Sequence, residues 1–540
     1  MEIDNFFGRR SKLDLLKKRV IDLKEGYRQN IAFLGSRYIG KSTLLQKFVH
    51  DIDDNDIVTI YLDLENKDFS HLYLKYLSAI LRNIPKIKNL PVNDDINLLL
   101  KSTESHPSAT VKAIKKIQSL MTQRKFNEVY REILSLAEIF TNETNKYCVL
   151  VLDEFHHMEN WDIADVFKEL GKRIMTQKRC LYILASSHQV TAKKIFLEKL
   201  SLLFGNFEII QVDAFDLKTS HGFIEANLGA VRIGEPLRNF LIDFTGGHPL
   251  YLHLICKELV ALSAIHKQDE IFIPLLTQAI ENVLLNPWGV LSRHFELIIN
   301  RMSEGKNNQI IPATFIVLAR GKHKLKDLAA AVGTKQTLLS QKLAGLMEED
   351  VIIKNGNFYY LKDKLFRYWI KYVFQKRLRI IEAGSEQQKQ EFHQEFNRSI
   401  EHFNINSGLN LSSRIIDLLH SFDNEALSIN GRRYKLPTFA EIVPTQIHAL
   451  GGEHFDVLQA SAQEGIWFIA LKKDSISEAD VQVMLNESKK FKEKPQRCVL
   501  ISMDSLDENT RVKALQEKMW IWNEGEITTL LNIFDKPYII

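Results

Sequence analysis

Cysteine is scarce. Cys148, Cys180, Cys256 and Cys498 are the only four among 540 residues. None stands at metal-ligand spacing from another, and all lie in or beside apolar runs, the pattern of buried thiols in a reducing cytosol. Excess charge is equally thin. A formal net charge of +4 over the whole length neither demands nor excludes a nucleic-acid partner, so only local basic patches could argue for one. No apolar run reaches about 18 residues, so no membrane span is expected. The opening stretch "MEIDNFFGRR" lacks the apolar core of a signal peptide. A cytoplasmic location without a membrane partner is therefore expected. There is no internal repeat and no low-complexity tract. What remains is an ordinary globular composition, 45% hydrophobic and 26% charged. The length is too great for one core and calls for three or four domains.

Helix and strand signals alternate through the first part of the chain. "SKLDLLKKRVIDLKEG" has helical spacing and stops at Gly26; "NIAFLG" is a short strand; "KSTLLQKFVHDI" is helical again. "DIVTIYLDLEN", "KYCVLVLDEF", "RCLYILASS" and "NFEIIQVD" are further strands, apolar on nearly every residue, as when both faces of a sheet are covered. "KKIFLEKLSLLF" is expected as a helix. A helical insertion, residues 70–145, punctuated by Pro85, Pro91 and "ESHPSA", interrupts the alternation. The pattern argues for an α/β fold with a parallel sheet over residues 1–216. Residues 217–287 then read as an all-helical lid. Residues 288–377 carry three helices and the hairpin "VIIKNGNFYYLKD", turned at Asn355-Gly356, which describes a winged helix. Residues 378–407 form a polar connecting helix or linker, and residues 408–540 a last α/β domain.

"GSRYIGKST" fits G-x-x-x-x-G-K-[ST] between a strand and a helix, the context that confirms a phosphate-binding loop. Gly35 and Gly40 allow the backbone to turn so that the N–H groups of Ser36, Arg37, Tyr38 and Ile39 point inward. The following helix aims its positive dipole end at the same place. Lys41 reaches the β- and γ-phosphates of ATP, Ser42 can ligate Mg²⁺, and Thr43 completes the motif. The second half is "CVLVLDEF". Asp153 at a strand end can hold Mg²⁺, and Glu154 can orient or deprotonate the attacking water. At the end of the next strand, Ser186 and Ser187 in "ILASSH" could read the γ-phosphate. His156 and His157 do not make H-E-x-x-H, and neighbours on a helix face different ways, so they read as surface or supporting residues. In "FTGGHPLYL", Gly246-Gly247 can end one helix and Pro249 can open the next.

In this order, "FFGRRSKLDLLKK", "GSRYIGKSTLL", "YLDLEN", "LVLDEF", "LASS" and "TGGHPLYL" resemble the archaeal-type ATPase family within the STAND group of P-loop NTPases. The likeness runs from Asn5 to Phe374 and includes "YYLKD" and "FRYWIKYVF". It implies that Gly247-His248-Pro249 lies near the nucleotide, which places His248 and Pro249 among the nucleotide-binding residues. One branch of the family carries a C-terminal domain similar to restriction-endonuclease-like folds. Where a basic residue is usual near "LFGNFEI", this chain has Gly205-Asn206. No arginine finger in cis is therefore expected, and basal hydrolysis should be slow.

Three functions are compatible with these features. The first is an ATP-dependent switch that binds ATP or ADP with Mg²⁺, hydrolyses slowly and signals to a protein partner or a second copy of itself. The second is a DNA-associated ATPase of the origin-loading or transposition-helper kind. Its winged helix would meet double-stranded DNA through Lys335, Gln336, Ser340, Gln341 and Lys342. The third, an ATP-gated Mg²⁺ nuclease, is weakest. Asp456 on one strand and Lys472 on the next suit such a site, but Ala470 stands where a carboxylate is needed, and Glu441 and Glu453 are out of register. An inactive, nuclease-like binding domain or an unrelated α/β accessory domain is expected instead.

Overall fold

The computed structural model describes residues 6–65, 67–82, 108–304, 309–321, 323–379, 385–429, 431–448, 454–472, 476–490, 495–503 and 507–538. Pro85, Pro91 and most of "ESHPSA" lie outside them. The described residues divide into two compact units. The first holds residues 6–215 with His248–Leu250 and Glu348–Asp350; the second holds the remainder.

The first unit is built on five parallel strands: β1 (Asn30–Leu34), β2 (Ile57–Asp63), β3 (Tyr147–Asp153), β4 (Cys180–Ser186) and β5 (Phe207–Gln211). Their order is β2-β3-β4-β1-β5. Successive residues enter two different cores, which is why the strands are apolar throughout. Ala32, Leu34, Leu150, Leu152, Tyr182 and Leu184 face one core, filled by helices α3 (Phe69–Arg82), α4 (Ala109–Thr122) and α5 (Phe126–Thr144). Ile31, Phe33, Val149, Val151 and Ile183 face the other, filled by α1 (Arg10–Lys24) and α2 (Lys41–His50). The helical insertion thus covers one side of the sheet. Because β4 lies between β1 and β3, the C-terminal ends of all three strands stand side by side, where open α/β sheets bind ligands.

The helix expected over "KKIFLEKLSLLF" breaks into three pieces: an α turn (Gln189–Lys194), a π turn (Ile195–Lys199) and a 3₁₀ stretch (Ser201–Asn206). Ile195, Phe196 and Leu200 are all buried. Positions i and i+5 share a face on a π turn, so the wider turn lets Ile195 and Leu200 both point inward.

The second unit contains helices Leu217–Leu228, Glu235–Thr245 and Pro249–His266, the last of which starts in the first unit. A three-stranded antiparallel sheet follows, in which β9 (Ile352–Asn355) and β10 (Phe358–Leu361) form a hairpin and β8 (His323–Lys324) adds to β10. β6 (Arg232–Ile233) and β7 (Glu270–Ile271) form a short parallel pair. Asn355 pairs with Phe358, so the two-residue loop is Gly356-Asn357, one residue later than "NG" suggests. Gly356 has φ 58°, and Asn357 does not share a positive φ, the arrangement of a type II′ turn. Asn355 is taken up elsewhere: its side chain accepts from Ser428 N at 2.6 Å and donates to Ser428 O at 2.7 Å.

Ser385–Ser407 is one polar-looking helix, yet Phe392, Phe396, Ile400 and Phe403 are buried at i, i+4, i+8 and i+11 spacing. Phe396 packs edge-on against Phe240 and Phe244, and Glu281 meets Lys389 at 2.9 Å. β11 (Glu425–Ile429) and β12 (Arg432–Leu436) make a hairpin. A second sheet runs β13 (Phe439–His448), β14 (His454–Ala462), β15 (Gly465–Lys472), β16 (Arg497–Ser502) and β17 (Trp520–Trp522). The first two pairings are antiparallel and the last two parallel.

Candidate active site

The glycine loop joins β1 to α2. A Cβ on Gly35 would lie 2.2 Å from the Val212 carbonyl oxygen, so no side chain fits there. Gly40 stands at φ 93° and caps α2, a conformation glycine adopts without penalty. Tyr38 adopts φ 58° with its ring exposed, and the Arg37 guanidinium lies 5.3 Å over that ring. Arg37 also pairs with Glu65. Ile39 is buried under the loop, and its carbonyl accepts from Arg9 at 2.6 Å. Arg9 donates to the Asp213 carbonyl as well, at 2.8 Å, and so ties the loop to the strand end beyond β5. Ser36, Ser42 and Thr43 are half-buried at the loop and the first turn of α2.

Lys41 is 3% exposed. Its Nζ donates to the Gly35 and Ser36 carbonyls at 3.0 and 2.9 Å and lies 3.9 Å from Glu154 Oε1. Asp153 is buried at the end of β3 and accepts from Tyr61 Oη at 2.6 Å. Burial pushes its carboxyl above the ordinary value, against the hydrogen bonds from Ser42 and Tyr61. Glu154 has φ 54° and is raised chiefly by burial, with the Lys41 charge opposing. Glu154 Oε2 accepts from Ser187 N at 2.8 Å and Ser187 Oγ at 2.9 Å.

Ser186 is fully buried, and its Oγ lies 2.9 Å from His156 Nδ1. Of the two expectations for His156, surface or supporting residue, the structure matches the second: it is 5% exposed, with Nδ1 3.4 Å from Glu154 Oε2. Burial holds its pKa down to about 2, with His188, His157, Lys41 and Arg37 adding to the same effect. The rings of His157 and His188 lie 4.2 and 4.3 Å from that of His156. Among the described residues no group of three His, Cys, Asp or Glu is arranged to hold a metal alone.

The structure therefore gathers Gly35, Lys41, Ser42, Asp153, Glu154 and Ser186 around the ends of β1, β3 and β4. His248, within the same unit, lies with Nε2 3.3 Å from the Arg37 carbonyl oxygen. Pro249 is the first residue of its helix, after Gly246 and Gly247 at φ 63° and 67°. Sequence reasoning missed Tyr61, Arg9 and the partnership of Ser187 with Glu154. Arg9 and Tyr61 sit inside the stretches "FFGRR" and "YLDLEN".

The suggested nuclease pair is not brought together. Asp456 pairs with Leu471 across β14 and β15, so it lies on the opposite sheet face from Ala470 and Lys472. Asp456 accepts from Ser412 Oγ at 2.8 Å, and Lys472 donates to Asp480 at 3.0 Å.

Residues 6–255 match the model of a family described as an ATPase domain predominantly from Archaea. This segment has a P-loop NTPase fold and is similar to that family. A Walker-type ATPase of Pyrococcus abyssi is 17% identical, with a TM-score of 0.47 over 68% of this chain and 96% of its own. The Aeropyrum pernix ORC2 protein, in ADPNP–ADP complexes, is 14% identical, with a TM-score of 0.42 over 70% of this chain and 97% of its own. The Aeropyrum pernix ORC1 protein in complex with DNA is 9% identical, with a TM-score of 0.37 over 69% and 95%. No curated protein matches. No described helix is long and apolar enough to cross a membrane.

Proposed function

We propose that the ATPase domain works as a slow, nucleotide-dependent switch. The observation that carries this reading is the convergence of Lys41, Asp153 and Glu154 at one end of the sheet, with Glu154 already engaged by Lys41 and Ser187. The glycine loop would cradle the phosphates, with Lys41 leaving its carbonyl partners for the β- and γ-phosphates. Ser42 and Asp153 would hold Mg²⁺; a buried carboxylate whose charge is disfavoured by its surroundings suits a cation there. Mg²⁺ supplies neutralisation of the phosphate charge. Glu154 takes the proton of the attacking water. Gly205 and Asn206 are exposed and carry no cation to the site, which supports slow turnover. His248 links the nucleotide loop to the start of helix Pro249–His266 and would report what the loop holds. The ATPase activity of the purified chain, with and without duplex DNA, and the nucleotide that co-purifies test this reading. Tight retention and DNA-independent turnover support it; fast turnover by isolated monomer would count against it.

A DNA-associated ATPase is the second reading. Lys335, Gln336, Ser340 and Gln341 are exposed at and along helix Gln336–Glu348. Against it, the wing is engaged within its own unit: Lys324 pairs with Glu425, and Asn355 bonds Ser428. Salt-dependent duplex binding that DNA-stimulated turnover accompanies would favour it.

A further inference from the structure

Ser187 comes directly after β4 and commits both of its donors to one oxygen of Glu154. Its N–H lies 2.8 Å and its hydroxyl 2.9 Å from Oε2. His156 Nδ1 stands 3.4 Å from the same oxygen and is itself held by Ser186 Oγ at 2.9 Å. The other oxygen, Oε1, faces Lys41 Nζ at 3.9 Å. Ser187, Glu154, His156, Ser186 and Lys41 are all buried.

A general base needs a lone pair aimed at the water it deprotonates. Donors on a carboxylate stabilise its charged form and weaken it as a base, and a neighbouring cation acts the same way. Here both oxygens are engaged at once. The left-handed backbone of Glu154, φ 54°, also fixes the direction in which its side chain leaves the strand end.

We propose that Ser187 is a positioning residue that parks Glu154 away from the reacting water, and that turnover requires the end of β4 to release it. The proposal rests on the reading of Glu154 as the base. Ser186 and Ser187 are consecutive: one holds His156 and the other holds Glu154, so one displacement of this strand end slackens both contacts. A displacement at Ser186 is then transmitted to Glu154 through a single peptide unit.

Steady-state ATP hydrolysis by the full chain tests this with three variants. Ser187→Ala keeps the N–H but removes the hydroxyl, and is expected to raise kcat about fivefold with KM within about twofold. Ser187→Thr, which retains the hydroxyl, should restore the original kcat. Glu154→Gln combined with Ser187→Ala should be inactive. Should Ser187→Ala fail to fold, Ser187→Cys, with its weak thiol donor, carries the same expectation. A kcat for Ser187→Ala that is unchanged or lower overturns the parking role. Turnover that survives in Glu154→Gln alone overturns the base assignment and the proposal with it. Loss of turnover in Glu154→Gln without a gain in Ser187→Ala overturns parking only.

Discussion

The Nζ of Lys41 lies 3.9 Å from Oε1 of Glu154 while it donates to two carbonyls of its own loop. The group expected to grip phosphate and the group expected to activate water thus share one buried space. In this arrangement Lys41 is satisfied by oxygens that a phosphate would replace.

Lys41→Ala should weaken ATP binding about 100-fold, since a hydrogen bond to a charged group contributes about 1.5–3 kcal/mol. Titration calorimetry with ATP and Mg²⁺ measures it. Affinity within threefold of the original would show that Lys41 does not hold phosphate.

Glu154→Gln should leave nucleotide affinity nearly unchanged and lower kcat by about 10²- to 10⁴-fold, the range of general-base catalysis. A filter-binding assay beside a phosphate-release assay separates the two effects.

Gly35→Ala should abolish nucleotide binding and lower the melting temperature. Its methyl would stand 2.2 Å from the Val212 carbonyl oxygen, so either the loop or the chain beyond β5 must move. An alanine variant with the original affinity would refute the tightness of this contact.

Acid should destabilise the first unit partly through His156. Its folded pKa is depressed to about 2 by burial, below the ordinary 6.5. The unfolded state alone takes up a proton as the pH falls below 6.5, so stability drops by about 1.4 kcal/mol per pH unit. Asp153 and Glu154, both raised by burial, act in the opposite direction as the pH falls into the carboxylate range. The His156 contribution is therefore clearest between about pH 6.5 and 5. Urea melts of His156→Gln should show a shallower loss of stability over that window.

Asp243 in the second unit accepts from Lys364 Nζ at 2.6 Å and from Tyr538 N at 2.8 Å, and Lys364 lies 4.7 Å over the Tyr538 ring. Asp243→Ala strands both donors and should cost about 2–4 kcal/mol, at the lower end of the range for breaking a buried pair because Lys364 is partly exposed. Asp243→Asn keeps an acceptor and should cost less. Denaturant melts of the two variants check the order.

The phosphate loop was legible because its spacing encodes local backbone: two glycines, a lysine and a hydroxyl within nine residues. The strands were legible because a sheet buried on both faces demands unbroken apolar runs. Ser187 and Glu154 were not legible as partners, because 33 residues separate them and only the side-by-side placement of β3 and β4 brings them together. Tyr61 reaches Asp153 across 92 residues for the same reason. Asp456 and Lys472 failed as a pair for a subtler cause. Which face a strand residue occupies depends on register, and one step of register separates a shared site from opposite sides of a sheet.

Phe358 and Tyr360 of the wing share one core with Leu411, Ile415 and Leu427, and the turn at Gly356 abuts the Ala426 backbone closely enough to exclude a Cβ. A recombination breakpoint between residues 378 and 408 falls in a polar stretch of sequence, yet it would split that core between two parents. Hybrids made there should inherit mismatched halves of one apolar interior. The wing and the C-terminal sheet domain are thus expected to pass between genes, and to diverge, together.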